Sequence, residues 1–475
     1  MKRAIVWFRN DLRLHDHGPL RKAIAEAVEV IPVYVFDENK WRLHQLGFPK
    51  TGSFQTRFIL ESVNHLKESL QQCGADLIIR KGNSPDIISE LALEWKVDAV
   101  YTSKEVTSEE ILQEEQLYDK LRRHQITLDL SWHSTLFHRD DLPWPIDQLP
   151  DIFTDFRKQN EKQTPIRNSF KKPDQIAFPS CLDVGEIPTI EDFGFVKDQV
   201  ALDDRAVLGF KGGEKSAWDR LNHYLWQTDQ LKNYKWTRNG LIGADYSSKF
   251  SAWLAHGCIS PKAIYEEVTR FEKERKKNVS TYWLIFELIW RDYFRFVALK
   301  YGTSIFKSGG IKDRTPKMNQ DYNLFEKWRF GQTGVPFVDA NMRELLHTGF
   351  MSNRGRQNVA SFLVKDLGID WRWGAAWFES QLIDYDVCSN WGNWMYVAGV
   401  GNDPRENRYF NILNQAKKYD AEGEYVRLWL PELSAVSTGE VHIPTAIAPD
   451  RLKLLGISLG QNYPKPLVNM NKWIL

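Results

Sequence analysis

The first 130 residues alternate short apolar runs, rich in β-branched side chains, with longer amphipathic stretches. The apolar runs predict five β-strands, at 4–8, 30–36, 77–79, 99–101 and 126–130. Between them, apolar positions at helical spacing predict helices at 54–70, 86–95 and 109–123. Strands that alternate with helices are typical of a doubly wound parallel sheet. We therefore predict an α/β domain with a five-stranded parallel sheet over residues 1–133.

The pattern changes twice beyond this domain. Residues 134–203 are rich in Pro, Asp and polar side chains and show little periodicity, which predicts a linker lying on the surface. From residue 204 onward the apolar positions follow helical spacing without strand patterns. The predicted helices are 216–230, 261–276, 281–301, 338–347, 353–367 and 374–382. We predict an all-α domain over residues 204–475.

Composition and charge narrow the class of protein. A chain of 475 residues suits two domains, and 42% hydrophobic with 26% charged residues is ordinary for a soluble protein. The net charge is only +1, so a bound polyanion must be held by a local patch. Nineteen tryptophans are many, and most are expected to fill the core.

Cysteine spacing and the absence of long apolar runs bear on compartment. Cys73, Cys181, Cys258 and Cys388 form no CxxC pair, which disfavours a zinc site or a disulfide framework. The start of the chain becomes charged too soon for a signal peptide, and no run of about 18 apolar residues follows. We expect a soluble, cytoplasmic protein that binds no membrane and acts as a monomer.

A serine-rich segment, YSSKFSAWLAHGCISP at 246–261, comes directly before a helical pattern. The hydroxyls of Ser247, Ser248 and Ser251, together with backbone N–H groups and a helix N-terminus, would bind a phosphate, with Lys249 as a point charge. The alternative, which composition alone favours, is simple N-capping by serine.

A second group of polar side chains lies on the predicted helix 281–301. Glu287, Trp290 and Arg291 are spaced i, i+3 and i+4 and so share a face. The helix is apolar almost all round, so charges here indicate a cavity or a partner. A carboxylate that accepts from a ring N–H, an indole that stacks and a guanidinium that binds phosphate suit a flipped-out base. An intrahelical Glu–Arg pair beside a packed Trp is the alternative.

A third group lies in 352–404. Asp386, Asn390 and Trp394 recur every four residues, which on a helix places them on one stripe. The alternative is that they are turn residues and core aromatics. Asp384 and Asp386 form a DxD pair, but no His or further carboxylate cluster accompanies them, so we predict no metal.

The sequences of these motifs resemble those of the photolyase/cryptochrome family. The opening VWFRNDLRLHD at 6–16 and FELIWRDYFRF at 286–296 carry the resemblance, which extends over nearly the whole chain. The segments NRGRQN, DYDVCSNWGNW and GVGNDPR resemble the DASH-type cryptochromes in particular. The resemblance implies an α/β antenna domain, a long linker and a helical domain that encloses FAD.

The resemblance also implies roles for individual residues. The positions that match cofactor-binding positions of the family are Tyr234, Ser247, Ser248, Lys249, Ser251, Glu287, Arg291, Asn353, Arg356, Asp384, Asp386 and Asn390. Asn390 matches the residue that faces the flavin N5. Glu105 matches a pterin-contacting acid, which implies a methenyltetrahydrofolate antenna.

On the substrate side, the matching positions are Glu287, Trp290, Arg291, Asn353 and Tyr396. Class I photolyases carry Trp at the last position, so the smaller wall implies a preference for pyrimidine dimers in single-stranded or looped DNA. The positions matched to catalysis are Glu287, Asn353, Asn390, Trp394 and Trp371. The basic residues Lys307, Lys312, Arg314 and Lys317 could steer phosphates, although a charged run is more often a solvated face.

The implied reaction is a light-driven electron transfer from reduced FAD to the dimer, followed by return of the electron. Trp394 and Trp371 match the first two members of the family's tryptophan chain, but the distal position is Met318. We therefore expect slow photoreduction, or a route through Tyr322 or Trp328.

Three functions are compatible with these residues. Dimer repair is favoured by the substrate-side set. A blue-light photoreceptor with little repair is the alternative, disfavoured because no long C-terminal tail is expected. A general flavin oxidoreductase is disfavoured because the first strand-to-helix turn lacks GxGxxG, the fingerprint for a dinucleotide.

Overall fold

The computed structural model describes residues 1–405 and 408–473. The strands of its N-terminal domain are β1 Arg3–Phe8, β2 Glu29–Asp37, β3 Ile78–Gly82, β4 Ala99–Ser103 and β5 Thr127–Ser131. The helices that connect them are α1 Gly18–Glu26, α2 Ser53–Gln71, α3 Ser84–Glu94 and α4 Ser108–Arg122. All strand pairs are parallel, in the order β3-β2-β1-β4-β5. The predicted five-stranded sheet is confirmed, and α1 is a helix that the sequence pattern did not reveal.

The central strand β1 shows why this segment forms a buried parallel strand. Its side chains alternate between two cores, as the period of two requires. Val6 and Phe8 join the large core that continues into the helical domain, whereas Ile5 and Trp7 join a smaller core under α3 and α4. One face of the sheet is therefore part of the support for the helical domain.

The segment 134–203, predicted as a linker, contains one α-helix, α5 Phe153–Gln163. The helices that follow are α6 Glu214–Asn222, α7 Tyr234–Thr237, α8 Ser251–Ala255, α9 Pro261–Glu274, α10 Val279–Tyr301, α11 Tyr322–Arg329, α12 Pro336–Thr348, α13 Asn353–Ser361, α14 Trp371–Gln381, α15 Val387–Ala398, α16 Ile412–Tyr419, α17 Glu424–Trp429 and α18 Pro449–Leu454. The second domain is thus helical, as predicted. Among the described residues, no helix is both long enough and apolar enough to cross a bilayer.

Helix α10 is the central helix of the second domain. Asn278 caps its start by accepting from the backbone N–H groups of Ser280 and Thr281. A Cβ on Gly392 of α15 would lie 2.3 Å from the ring of Phe294 on α10. Glycine at this position therefore allows α15 to approach α10 closely, and these two helices carry much of the site described below.

The motif at 6–16 joins the two domains. The guanidinium of Arg13 donates to the carbonyl of Gly257 at 2.9 Å. The carboxylate of Glu214 accepts from the backbone N–H groups of Leu14 and His15 at 2.8 and 3.0 Å. Because these polar groups are buried or partly buried, their pairing fixes how the sheet sits against the helices.

Within the same motif, Asp11, His17 and His133 form a buried cluster. The Nδ1 atom of His17 accepts from the backbone N–H of Leu20, and Nδ1 of His133 lies 3.2 Å from the guanidinium of Arg13. The Nε2 atoms of both histidines face the carboxylate of Asp11, at 3.1 Å for His17 and 3.4 Å for His133. Because Arg13 contacts His133 and also donates to Gly257 of the helical domain, the cluster supports the domain junction.

Candidate functional site

The helical domain contains a cavity of about 500 Å³ bounded mainly by α7, α8, α10, α13 and α15. It is lined by fifteen of the residues singled out from the sequence: Tyr234, Ser247, Ser248, Lys249, Ser251, Glu287, Trp290, Arg291, Asn353, Arg356, Asp384, Asp386, Asn390, Trp394 and Tyr396. Among the lining residues, Lys249 is 3% exposed, whereas Asn353 is exposed to solvent. The cavity therefore has a buried part, called here the closed end, and a part that is exposed to solvent, called here the open end.

The loop before α8, which carries Ser247 and Ser248 and is called here the serine loop, forms part of the closed end. Arg220 holds this loop in place. This buried guanidinium donates to the carbonyl oxygens of Ala244, Ser247 and Ser248, each at 3.0 Å, and to Asp245 at 2.8 Å. Because the loop carbonyls are bound by Arg220, the loop keeps one shape. Arg220 was not predicted from the sequence, since nothing in its spacing connects it to the serine loop.

Ser247, Ser248 and Ser251 do not act as helix caps. Helix α8 begins at Ser251, its N-cap is Phe250, and no side chain caps it. The alternative of simple N-capping is therefore wrong. Helix α8 has only five residues, so the hydroxyls and Lys249 are the groups that this loop presents to the cavity.

Lys249 is held in an unusual environment. Its backbone is left-handed, with φ of 57°, and its amine lies 3.2 Å from the ring centroid of Tyr246. Nζ is buried and has no hydrogen-bond partner among the described residues. Burial, with a contribution from the charge of Arg220, lowers the pKa of Lys249 to about 6. A buried amine that has no hydrogen-bond partner, and that an anion would protonate, indicates a site for an anion.

Arg356 and Asp384 form an ion pair across the cavity wall. Arg356 Nη2 donates to Asp384 Oδ2 at 2.9 Å, and the Asp384 side chain is 2% exposed. Ser352 caps α13 by accepting from Gly355 N–H, which fixes the helix turn that carries Arg356. The second carboxylate oxygen of Asp384 has no partner among the described residues and is free to accept from a ligand.

Asp386 caps α15 by accepting from the backbone N–H of Ser389 at 2.8 Å. Burial alone raises the pKa of Asp386, but the charges of Arg291 and Arg295 lower it below its ordinary value. One turn later, the Asn390 amide donates to the carbonyl of Ala375 at 3.0 Å. This bond leaves the Asn390 amide oxygen as the group that can meet a ligand in the cavity.

Glu287 and Arg291 do not pair with each other. The carboxylate of Glu287 contacts the guanidinium of Arg238, just beyond α7, while Arg291 donates to the carbonyl of Ser134 at 2.6 Å. Arg291 also lies 3.6 Å from Asp386. The intrahelical-pair alternative is therefore wrong. Burial raises the pKa of Glu287, and the charge of Arg238 opposes that rise.

Two aromatic rings form walls at the open end. Trp290 stacks on Phe153 of α5 with centroids 3.6 Å apart and planes 9° apart. Tyr396 lies at 90° to Trp290, with centroids 6.2 Å apart, and its hydroxyl accepts from Arg408 at 3.1 Å. Phe153 was not predicted, because it lies in a segment without helical periodicity.

Trp371 and Glu105 lie outside the cavity lining. Trp371 is fully buried, packs 5.6 Å from Trp391 and donates to the carbonyl of Ser308. Glu105 is 5% exposed, and its carboxylate contacts Arg295. It therefore ties α10 to the loop after β4.

Two family descriptions match the chain. Residues 283–473 match the FAD binding domain of DNA photolyase, and residues 4–175 match DNA photolyase. A cryptochrome DASH from Gloeobacter violaceus is 52% identical over 469 residues, which cover 99% of this chain and 93% of that protein. A cryptochrome DASH from Xenopus laevis is 50% identical over 473 residues, covering 99% and 90%.

Solved structures show the same similarity in three dimensions. A cryptochrome from Synechocystis has a TM-score of 0.96 at 50% identity, covering 100% of this chain and 98% of that one. A bacterial class III photolyase from Agrobacterium tumefaciens has a TM-score of 0.85 at 29% identity, covering 100% and 95%.

Proposed function

Because this chain belongs to the DASH-type cryptochromes of the photolyase/cryptochrome family, we propose that it repairs cyclobutane pyrimidine dimers with FAD and blue light, mainly in single-stranded or looped DNA. The single observation that carries the proposal is one cavity that joins an anion site at its closed end to an aromatic-walled opening. Reduced flavin, when bound, supplies a light-driven electron to the dimer, so no protein nucleophile is required.

FAD fits the closed end of the cavity. The buried amine of Lys249 and the free oxygen of Asp384 are polar atoms without partners among the described residues, and both line the cavity. A diphosphate would supply the counter-ion that Lys249 lacks, with the hydroxyls of Ser247, Ser248 and Ser251 as donors. Arg356 and Asp384 would hold the ring system, beside Asp386 and Asn390. These are the residue types that a dinucleotide with an anionic centre needs.

Binding of FAD to the apoprotein at about pH 8 is expected to take up about one proton, because the amine of Lys249 is mostly neutral before an anion contacts it. The window of uptake runs from the lowered pKa of about 6 up to the ordinary lysine range. Calorimetry in buffers of different ionisation enthalpy measures the uptake, and Lys249→Met should abolish it. Equal heats in all buffers for the natural protein would contradict this role.

The open end suits a base turned out of the strand. Glu287 offers a carboxylate oxygen to a ring N–H, while Arg238 keeps it in place. Trp290, fixed by Phe153, and Tyr396 form two walls at right angles. Flipping a dimer out of duplex DNA breaks base pairs, whereas flipping it out of a single strand breaks few or none. A pocket with one small wall binds the flipped dimer less tightly and offsets less of this cost, so it favours the single strand.

The packing of aromatic side chains supports an electron route that avoids Met318. The ring of Trp394 lies 6.2 Å from that of Trp328, which lies 5.9 Å from Phe325. Phe325 in turn lies 6.3 Å from Tyr322, which is 42% exposed. We propose that oxidising equivalents leave through Trp328 toward Tyr322, in place of a third tryptophan.

Met318→Trp is expected to speed photoreduction severalfold, because it restores a ring at the distal position of the tryptophan chain. The rate is measured from flavin absorbance under blue light with a mild reductant. Trp328→Phe, which removes an indole from the proposed natural route, should slow photoreduction relative to the natural protein. Equal rates in the natural protein and Met318→Trp would contradict this expectation and would show that electron transfer does not pass through position 318.

A methenyltetrahydrofolate antenna is proposed on the resemblance alone, with Glu105 as its acidic contact. Glu105 already contacts Arg295, so a pterin would have to share this carboxylate. The purified protein should show a near-ultraviolet to violet band in addition to the flavin bands. A spectrum with flavin bands only would remove the antenna without affecting the repair proposal.

Dimer content of ultraviolet-irradiated oligothymidylate tests the function directly. Chemically reduced protein should lower the dimer content under blue light and leave it unchanged in the dark. The same lesion in duplex DNA should be repaired more slowly than in the single strand. If light causes no loss of dimers from either substrate, the photoreceptor alternative replaces repair.

A further inference from the structure

Trp236 is an exposed indole beside residues that line the cavity, in a region called here the rim. It lies on the short helix α7, and 72% of its surface is exposed. Tyr234 and Arg238, two residues before and two after it, both line the cavity. A single exposed apolar side chain is ordinary on a protein surface. Trp236 differs from such a side chain because it lies beside the opening and close to a cation and further aromatic rings.

The surroundings connect Trp236 to the cavity wall. The amine of Lys235 lies 5.0 Å from the ring centroid of Trp236 and 4.5 Å from that of Trp283. Trp283 stacks on Phe286, with centroids 4.8 Å apart and planes 27° apart, and Phe286 lines the cavity. A row of aromatic rings with a cation inserted therefore runs from the exposed indole into the opening.

The charges along this rim are net positive. Arg354 bonds to two neutral amides, Gln357 at 2.8 Å and Asn239 at 3.1 Å, so its charge is not neutralised by them. Lys235 lies on the same side of the opening, whereas the charge of Arg238 is already paired with Glu287. Aromatic faces interleaved with cations are the combination that binds single-stranded nucleic acid, with rings for bases and cations for phosphates.

We propose that Trp236 is a stacking platform for an unpaired base that neighbours the lesion, and that Lys235 binds the phosphate between them. The proposal rests on the proposed function and deepens it, because it names single-stranded DNA as the occupant of this rim. In a duplex, both faces of each base are already covered by neighbouring bases, so an exposed indole gains little. The platform therefore provides a physical reason for single-strand preference in addition to the small Tyr396 wall.

Equilibrium binding of fluorescein-labelled oligothymidylate carrying one dimer, measured by anisotropy with the full-length protein, tests the proposal. Trp236→Ala should raise Kd for the single strand about tenfold, the size expected for loss of one base–aromatic stack. Trp236→Phe should keep most of the affinity, since a ring remains. Leu43→Ala is the matched control, because Leu43 is equally exposed at 72% and lies in the α/β domain. The duplex affinity of Trp236→Ala should be nearly unchanged.

Two results would overturn the platform. One is an unchanged Kd of Trp236→Ala for the single strand. If sedimentation also shows that the natural protein self-associates and that this variant does not, Trp236 is a contact between copies of the chain instead. The other is an equal loss for single strand and duplex, which would indicate a backbone contact. Flavin content and thermal unfolding of the variant should match those of the natural protein. If the natural protein binds the single strand but does not repair it, the proposed repair function is wrong. The binding data still test the role of Trp236 in that case.

Discussion

Replacing Glu287 by alanine is expected to weaken binding of dimer-containing oligothymidylate, and repair at limiting DNA, by roughly 10- to 100-fold. The carboxylate is the acceptor that the open end presents to a ring N–H, and hydrogen bonds to charged groups have this magnitude. Its removal also leaves the guanidinium of Arg238 without its partner at the cavity wall. Anisotropy with labelled oligothymidylate measures Kd, and dimer content under blue light measures repair.

Glu440→Ala is the matched control for this loss. The Glu440 side chain is 28% exposed, as Glu287 is, and pairs with an arginine, Arg451, outside the cavity. This variant should bind and repair like the natural protein. Glu287→Gln should keep the shape of the pocket but weaken binding, because a neutral amide oxygen accepts less strongly. If Glu287→Ala binds and repairs normally, the open end does not hold the base as described.

Asp384→Ala is expected to give a protein that purifies largely without FAD. Loss of this buried carboxylate leaves Arg356 unpaired and should cost about 3 kcal/mol, toward the low end for buried pairs because the Arg356 side chain is 26% exposed. The same change removes the free oxygen that faces the cavity. Flavin released on denaturation, relative to protein concentration, measures the occupancy, and thermal unfolding measures stability.

Asp370→Ala separates flavin binding from general stability. Asp370 is equally buried, with 2% of its side chain exposed, and bonds to Arg372 at 2.6 Å. It lies at the start of α14 and is not among the residues that line the cavity. This variant should lose stability but keep its flavin. Equal flavin loss in both variants would mean that Asp384 acts only through stability.

Much of the fold could be predicted because local patterns agree with tertiary structure. The β1 run has an apolar side chain at nearly every position because both faces of the sheet are covered, and this pattern is typical of parallel strands. Helix α1 could not be predicted, since Pro19 and His17 start it through a cap rather than through an apolar stripe. Helix α5 has the same problem, because only three of its side chains, Phe153, Phe156 and Asn160, are buried.

The candidate site could be predicted where residues are close in the chain, and not where partners are distant. The Asp386–Asn390–Trp394 stripe follows from spacing, and all three line the cavity. Spacing along α10 offered Arg291 as an alternative partner for Glu287, but the fold brings Arg238 to it instead. Pairings across the fold depend on packing, which spacing along one helix does not encode.

The most direct measurement is the flavin content and visible absorption spectrum of the purified full-length protein. A yellow protein with about one FAD per chain is expected, since the closed end has one buried amine without a partner among the described residues and one carboxylate–guanidinium pair. A colourless protein that also fails to take up added FAD would contradict a cavity built for flavin beside a lesion site.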